Sequence, residues 1–138
     1  MDRTAPSKLA ILAIGLLGVI NLARGSIHFF APDGGLTSIA GLDLSTARQT
    51  IVFFIAAVGA GQITLGILDL YVIARHRAMV RPLLVIHLVG MALGLFLFLV
   101  WKPLPVVVPG QYGAVFSFLL LSVITAREFW LWKRNGAD

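Results

Sequence analysis

Residues 50–74, TIVFFIAAVGAGQITLGILDLYVIA, constrain the fold more than any other stretch, because this long apolar run still carries Gln62 and Asp69. A hydrocarbon core about 30 Å thick takes about 20 helical residues to cross. Thirteen of these residues are Leu, Ile, Phe or Val, and at about 0.3–0.6 kcal/mol each near a helix centre they outweigh the roughly 3 kcal/mol cost of a mid-membrane Asp. The segment is expected to insert into a bilayer with its acid inside.

Three more runs fit the same template, at about 7–25, 82–101 and 112–133. The first lacks a good small-x-small cleavage pattern and is followed by the other spans, so it reads as a retained helix rather than a signal peptide. Pro82 stands where proline is tolerated, at the opening of the third helix. The short turn around Arg75, Arg77 and Arg81 makes the second and third helices antiparallel neighbours. Between the third and fourth, KPLPVVVPGQ (102–111) reads as a short extended or interfacial connection, and Phe129, Trp130 and Trp132 form an interfacial aromatic belt. The longest loop, 26–47, is expected to turn at Pro32 to Gly35 and to cap the next helix with Asp43 to Ser45. Its Phe29, Phe30, Leu36, Ile39 and Leu42 would fold it onto the membrane surface or back over the bundle. The expected fold is all-α: an integral membrane four-helix bundle forming one transmembrane domain over 1–138.

A chain of 138 residues that is 59% hydrophobic and 12% charged would aggregate in water, so the bilayer is its natural solvent. It has no cysteine, which excludes disulfides, thiolate metal sites and cysteine nucleophiles. The net charge of +5 does not point to nucleic acid, since the basic residues sit at the ends of apolar runs and no basic helix or aromatic platform supports that reading. They act instead as topology signals and attract anionic head groups. Eight (Arg3, Lys8, Arg75, Arg77, Arg81, Arg127, Lys133, Arg134) fall on one side and three (Arg24, Arg48, Lys102) on the other. Both termini are therefore expected in the cytoplasm, with the 26–47 loop outside.

On that frame the polar residues form two layers. The outer layer holds Asn21, Arg24, His28, Asp33, Asp43 and Arg48; the inner holds Asp69, His87, Arg127 and Glu128; Gln62 lies between. Helical spacing aligns Gly18, Asn21, Gly25 and His28 on the first helix, and Arg48, Gly59, Gln62, Gly66 and Asp69 on the second. It also aligns His87, Gly90, Met91 and Gly94 on the third, and Ser117, Leu121, Ile124 and Glu128 on the fourth. Each helix thus presents a small or polar face.

Asp69 and His87 are the candidate catalytic pair, because an acid beside an imidazole can hold one tautomer and favour its charged form. The plainer alternative is a structural interhelical hydrogen bond. Asn21, Arg24, His28, Arg48 and Gln62 are the candidate ligand-binding residues: with Asp33 nearby, Arg24 and His28 offer donors for a carboxylate, a phosphate head group or a quinone oxygen. The alternative there is an ordinary interfacial turn. Arg127 and Glu128 can snorkel or pair with the basic turn.

No metal site is expected. His28 and His87 lie in opposite layers, which also speaks against a haem held by two histidines. The familiar hydrolase, zinc-protease and phosphate-loop motifs are absent from the sequence, and no cofactor can be named from it.

Ala31 to Gly35, the Gly59 to Gly66 stretch and the Arg75 to Arg81 turn give the chain an outline that resembles the DoxX-like group of small four-helix bacterial membrane proteins and related families. The resemblance implies a bacterial inner membrane and carries over no catalytic residue. Three roles follow as expectations. The first is binding a hydrophobic or amphipathic ligand, or serving as an accessory subunit of a larger membrane complex. The second is a membrane enzyme acting on a lipid or quinone-like substrate through Asp69 and His87. The third is an oligomeric carrier or pore. The GxxxG pair Gly90 and Gly94 suits helix association, either between copies or within the chain.

Overall fold

The computed structural model describes residues 5–103 and 107–135. Four helices dominate: α1 (Lys8–Phe30), α2 (Arg48–Arg75), α3 (Val80–Phe96) and α4 (Pro109–Asn135), with a 3₁₀ turn (Arg77–Met79) before α3 and a π-helical turn (Leu97–Trp101) after it. The continuous helical stretches Lys8–Phe30, Arg48–Arg75, Arg77–Trp101 and Pro109–Arg134 contain 23, 28, 25 and 26 residues. At 1.5 Å per residue the shortest is about 34 Å long, more than the apolar thickness of a bilayer. All four are long and apolar enough to cross one.

Helices form at all four expected stretches, most of them with longer ends. The first helix runs five residues further, to Phe30, because no residue before Pro32 opposes helical geometry. The 26–47 loop thereby shrinks to 31–47. Pro82 falls in the first turn of α3, and α4 already begins at Pro109, where a missing N–H costs nothing. The centre of the expected 102–111 connection, residues 104–106, lies outside the described residues.

Contacts divide the chain into two compact units, one of residues 16–71, the other of Met1–Gly15 with Val72–Asp138. In the first, α1 and α2 are joined by glycines at close range. A Cβ added to Gly25 would sit 2.7 Å from the Gly59 carbonyl oxygen, and one on Gly59 would sit 2.8 Å from that of Gly25. Seven residues earlier on α1 and seven later on α2 the contact repeats: a Cβ on Gly66 would meet the Gly18 oxygen at 2.7 Å. Matched steps of seven keep the seam on one face of each helix, about 10 Å apart along the axis. Backbones this close gain dispersion contacts and Cα–H···O contacts that any larger side chain would prevent.

The connecting loop is built around Asp33. Its carboxylate accepts the backbone N–H of Ser38 (2.7 Å), Gly35 (2.9 Å) and Thr37 (3.1 Å) and the Ser38 hydroxyl (3.2 Å). Gly34 and Gly35 take positive φ, 61° and 76°, a region that glycine enters without a Cβ penalty. Asp43 makes a smaller turn of the same kind, accepting the Ser45 N–H at 2.8 Å and its hydroxyl at 2.9 Å. Those bonds lie within the loop, three residues short of α2, rather than on the helix end that Asp43 was expected to cap.

The Ser38 and Gly35 N–H groups are the main reason the Asp33 pKa falls from 3.8 to about 2. Because the folded value is depressed, its contribution to loop stability is complete above about pH 4 and is lost as the pH falls toward 2. In a magnetic resonance titration the amide signals of Gly35, Thr37 and Ser38 should move together with a midpoint near 2. A midpoint at 3.8, the unperturbed value, would contradict these bonds.

The second unit has its core on facing sides of α3 and α4, with Ala10 and Ile14 from the start of α1 and Val72 from the end of α2. On α3 the buried residues are Val80, Leu83, Leu84 and His87. On α4 they are Leu121, Thr125 and Glu128, spaced by four and three as one helix face requires.

Candidate functional site

The polar centre of the second unit is a hub at the start of α1. Ser7 caps that helix, its hydroxyl accepting the Ala10 N–H at 3.2 Å. The Ser7 N–H in turn is received by both Glu128 carboxylate oxygens at 3.2 Å. In a capping box the residue three places into the helix supplies that acceptor. Here that place is Ala10, and α4 supplies the carboxylate instead. Arg81 Nε meets Glu128 Oε1 at 3.0 Å, Arg81 Nη2 donates to the Ala5 carbonyl at 3.0 Å, and its guanidinium lies 5.5 Å from the centre of the Trp132 ring. Glu128 is 1% exposed, so a buried carboxylate is matched by a cation and two shared N–H contacts. This is the pairing with the basic turn anticipated for Glu128. Arg127, one residue earlier, is exposed.

One turn deeper, Thr125 is 7% exposed, and its Oγ1 is buried with no hydrogen-bond partner among the described residues. A helical threonine ordinarily bonds the carbonyl four residues back, as Ser122 does to Phe118 at 2.7 Å. An unsatisfied buried hydroxyl costs about 1–3 kcal/mol and calls for an explanation. His87, 6% exposed, belongs to the same unit, about 9 Å along α3 from Arg81. Spacing aligns Ile124 with Leu121 and Glu128 on α4, yet Ile124 is only half-buried. The buried line is Leu121, Thr125 and Glu128, and its four-three spacing was the available signal. Thr125 escaped notice because threonine is unremarkable within a helix.

Asp69 lies in the other unit, 0% exposed. Its Cβ would be 3.0 Å from a Cβ on Gly18, so the absent side chain of Gly18 makes room for the acid. Asp69 and His87 thus belong to different units, and neither is without an interaction partner.

The outer candidates share the α1–α2 unit. Arg24 and Arg48 are exposed; Asn21, His28 and Gln62 are half-buried. His28 Nδ1 lies 2.7 Å from the Gly34 carbonyl. Since a carbonyl only accepts, Nδ1 carries the proton and Nε2 is the nitrogen left for other chemistry. With Asp33 engaged inside the loop, the donors left among the outer candidates include Arg24, Arg48 and His28 Nε2. Gln62, within the glycine seam, has a buried Oε1 without a hydrogen-bond partner among the described residues.

Of the expected small face on α3, His87 is buried, while a Cβ on Gly90 or Gly94 would meet nothing within 4 Å among the described residues. Those two glycines are separate from the buried line that ends at His87. Among the described residues, no three His, Asp or Glu side chains gather as a metal site. No family model matches the chain, and neither the curated proteins nor the solved structures include a significant match.

Proposed function

We propose that the chain is a non-enzymatic multi-pass protein of a bacterial inner membrane that binds a hydrophobic or amphipathic small molecule. The observation that supports it is the Thr125 hydroxyl, buried on the α4 face between Leu121 and Glu128 with no hydrogen-bond partner among the described residues. Lipid tails offer no hydrogen bond, so a hydroxyl held there is suited to a ligand that brings a polar atom with it. Leu84 and Leu121, both buried in the same unit, supply apolar surroundings of the kind such sites have. The eight-to-three excess of Lys and Arg supports a cytoplasmic position for both termini.

Native mass spectrometry of protein released gently from membranes tests this reading, alongside a reporter fused after Asp138 that should be active only in the cytoplasm. A reproducible extra mass is expected on the wild type and on Thr125→Ser, and is expected to fall at least tenfold on Thr125→Val, which keeps the shape but not the hydroxyl. Equal retention by Thr125→Val would overturn the assignment. If the mass instead disappears with Asp69→Asn or His87→Ala and survives Thr125→Val, the rival reading takes its place, in which those two residues serve a membrane enzyme as acid and base.

An accessory role in a larger assembly is the second reading, favoured by Gly90 and Gly94. Glycines that open the backbone of α3 with no neighbour among the described residues are suited to close approach by another helix. The same spectra report copy number. A bare monomer that is unaffected by Gly90→Leu would count against it.

A further inference from the structure

The end of the second unit defined by the Ser7, Arg81 and Glu128 hub is strongly basic. Lys8, Arg75, Arg77, Arg127, Lys133 and Arg134 are all exposed there. Glu128 is fully buried against Arg81 and neutralises none of them. On α4 this charge has a definite form. Arg127, Trp130 and Arg134 are spaced three and four apart, so they share one face, and Arg134 stacks 4.5 Å from the centre of the Trp130 ring.

The same face continues toward the middle of the helix as exposed apolar side chains: Val123 and Phe116 are 67% and 68% exposed, with Leu120 between them. From Phe116 to Arg127 is about 16 Å along the axis, close to half the apolar thickness of a bilayer. The strip therefore has the proportions of one phospholipid in one leaflet, apolar for the length of an acyl chain and ending in two guanidiniums flanking an indole. Tryptophan sets such a site at head-group depth, and guanidiniums bind phosphate oxygens in pairs.

We propose that this face of α4 is a binding site for an anionic phospholipid, its phosphate held by Arg127 and Arg134 and its chain lying along Val123, Leu120 and Phe116. A soluble acidic partner would use the cations but has no need of the apolar strip. The site is distinct from Thr125, which lies on the buried side of the same helix.

The test is native mass spectrometry of the full-length protein after exchange into micelles containing equal amounts of phosphatidylglycerol and phosphatidylcholine with identical chains. The wild type should retain phosphatidylglycerol about thirtyfold over phosphatidylcholine, the preference expected from two cations near an anionic head group. Arg127→Gln with Arg134→Gln should bring the ratio close to one. Arg75→Gln with Arg77→Gln, an equal loss of charge at the same end but off the strip, should leave most of it.

Equal retention of both lipids by the wild type would overturn the proposal. So would equal losses in the two double variants, which would make the attraction diffuse rather than local, and so would displacement of the lipid by millimolar inorganic phosphate. All four arginines are exposed, and matching thermal unfolding of the variants checks that folding is unchanged.

Discussion

Alanine at Gly25 is expected to destabilise the α1–α2 hairpin by about 3 kcal/mol, the upper end of the usual cost of overpacking. The new methyl would lie 2.7 Å from the Gly59 oxygen and 2.8 Å from the Ile63 nitrogen. Both are backbone atoms, so no side chain can turn aside to make room. The helices must separate, and the repeat of the contact seven residues away means that separation at one point loosens the other. Gly59→Ala and Gly66→Ala, with backbone contacts at 2.8 Å and 2.7 Å, should behave alike.

Gly61→Ala, Gly90→Ala and Gly94→Ala are the controls, since their added methyls meet nothing within 4 Å. They should be neutral or gain up to about 1 kcal/mol from alanine's higher helix propensity. Thermal or denaturant unfolding in one detergent measures the whole set. A Gly25→Ala protein as stable as wild type would rule out the close seam.

The second large effect is expected at the hub. Arg81→Met leaves the Glu128 carboxylate, 1% exposed, without its counter-charge, and removing one member of a buried pair costs about 3–5 kcal/mol. Glu128→Leu takes the carboxylate from Arg81 and the acceptor from the Ser7 N–H. The double variant Arg81→Met/Glu128→Leu should recover more than half of the loss, because apolar side chains of similar volume replace a buried pair at little cost. It should not recover all of it, since the Ser7 N–H stays without an acceptor, a loss of about 1 kcal/mol or more. Full additivity of the two single effects in a double-mutant cycle would show that the groups do not interact.

Asp33 and Glu128 show where sequence reading reaches and where it stops. The tight turn at Asp33 was legible because Pro, Asp and two glycines in succession permit little else, and the bonds that build it reach no further than five residues along the chain. Glu128 could be placed near a basic turn from its depth alone. That it also caps α1 could not be read, because the Ser7 N–H is 121 residues away and Ala10 gives no hint of an acceptor supplied by another helix.

The glycines make the same point. GxxxG on α3 is the familiar small-residue motif, yet Gly90 and Gly94 stand open, while Gly18, Gly25, Gly59 and Gly66 carry the packing. Nothing in a single helix says whether its small face meets a neighbour in the same chain.

What the sequence by itself determined is the number of long apolar helices and their approximate limits. Transfer into a bilayer is nearly a sum over individual side chains, and a sum over one segment can be read from that segment alone. Which faces meet depends on the rotation and register of helices that are distant in the chain. Only the tertiary structure decided that Gly25 meets Gly59, that Glu128 holds both Arg81 and Ser7, and that the Thr125 hydroxyl is buried beside Leu121 and Glu128 with no hydrogen-bond partner among the described residues.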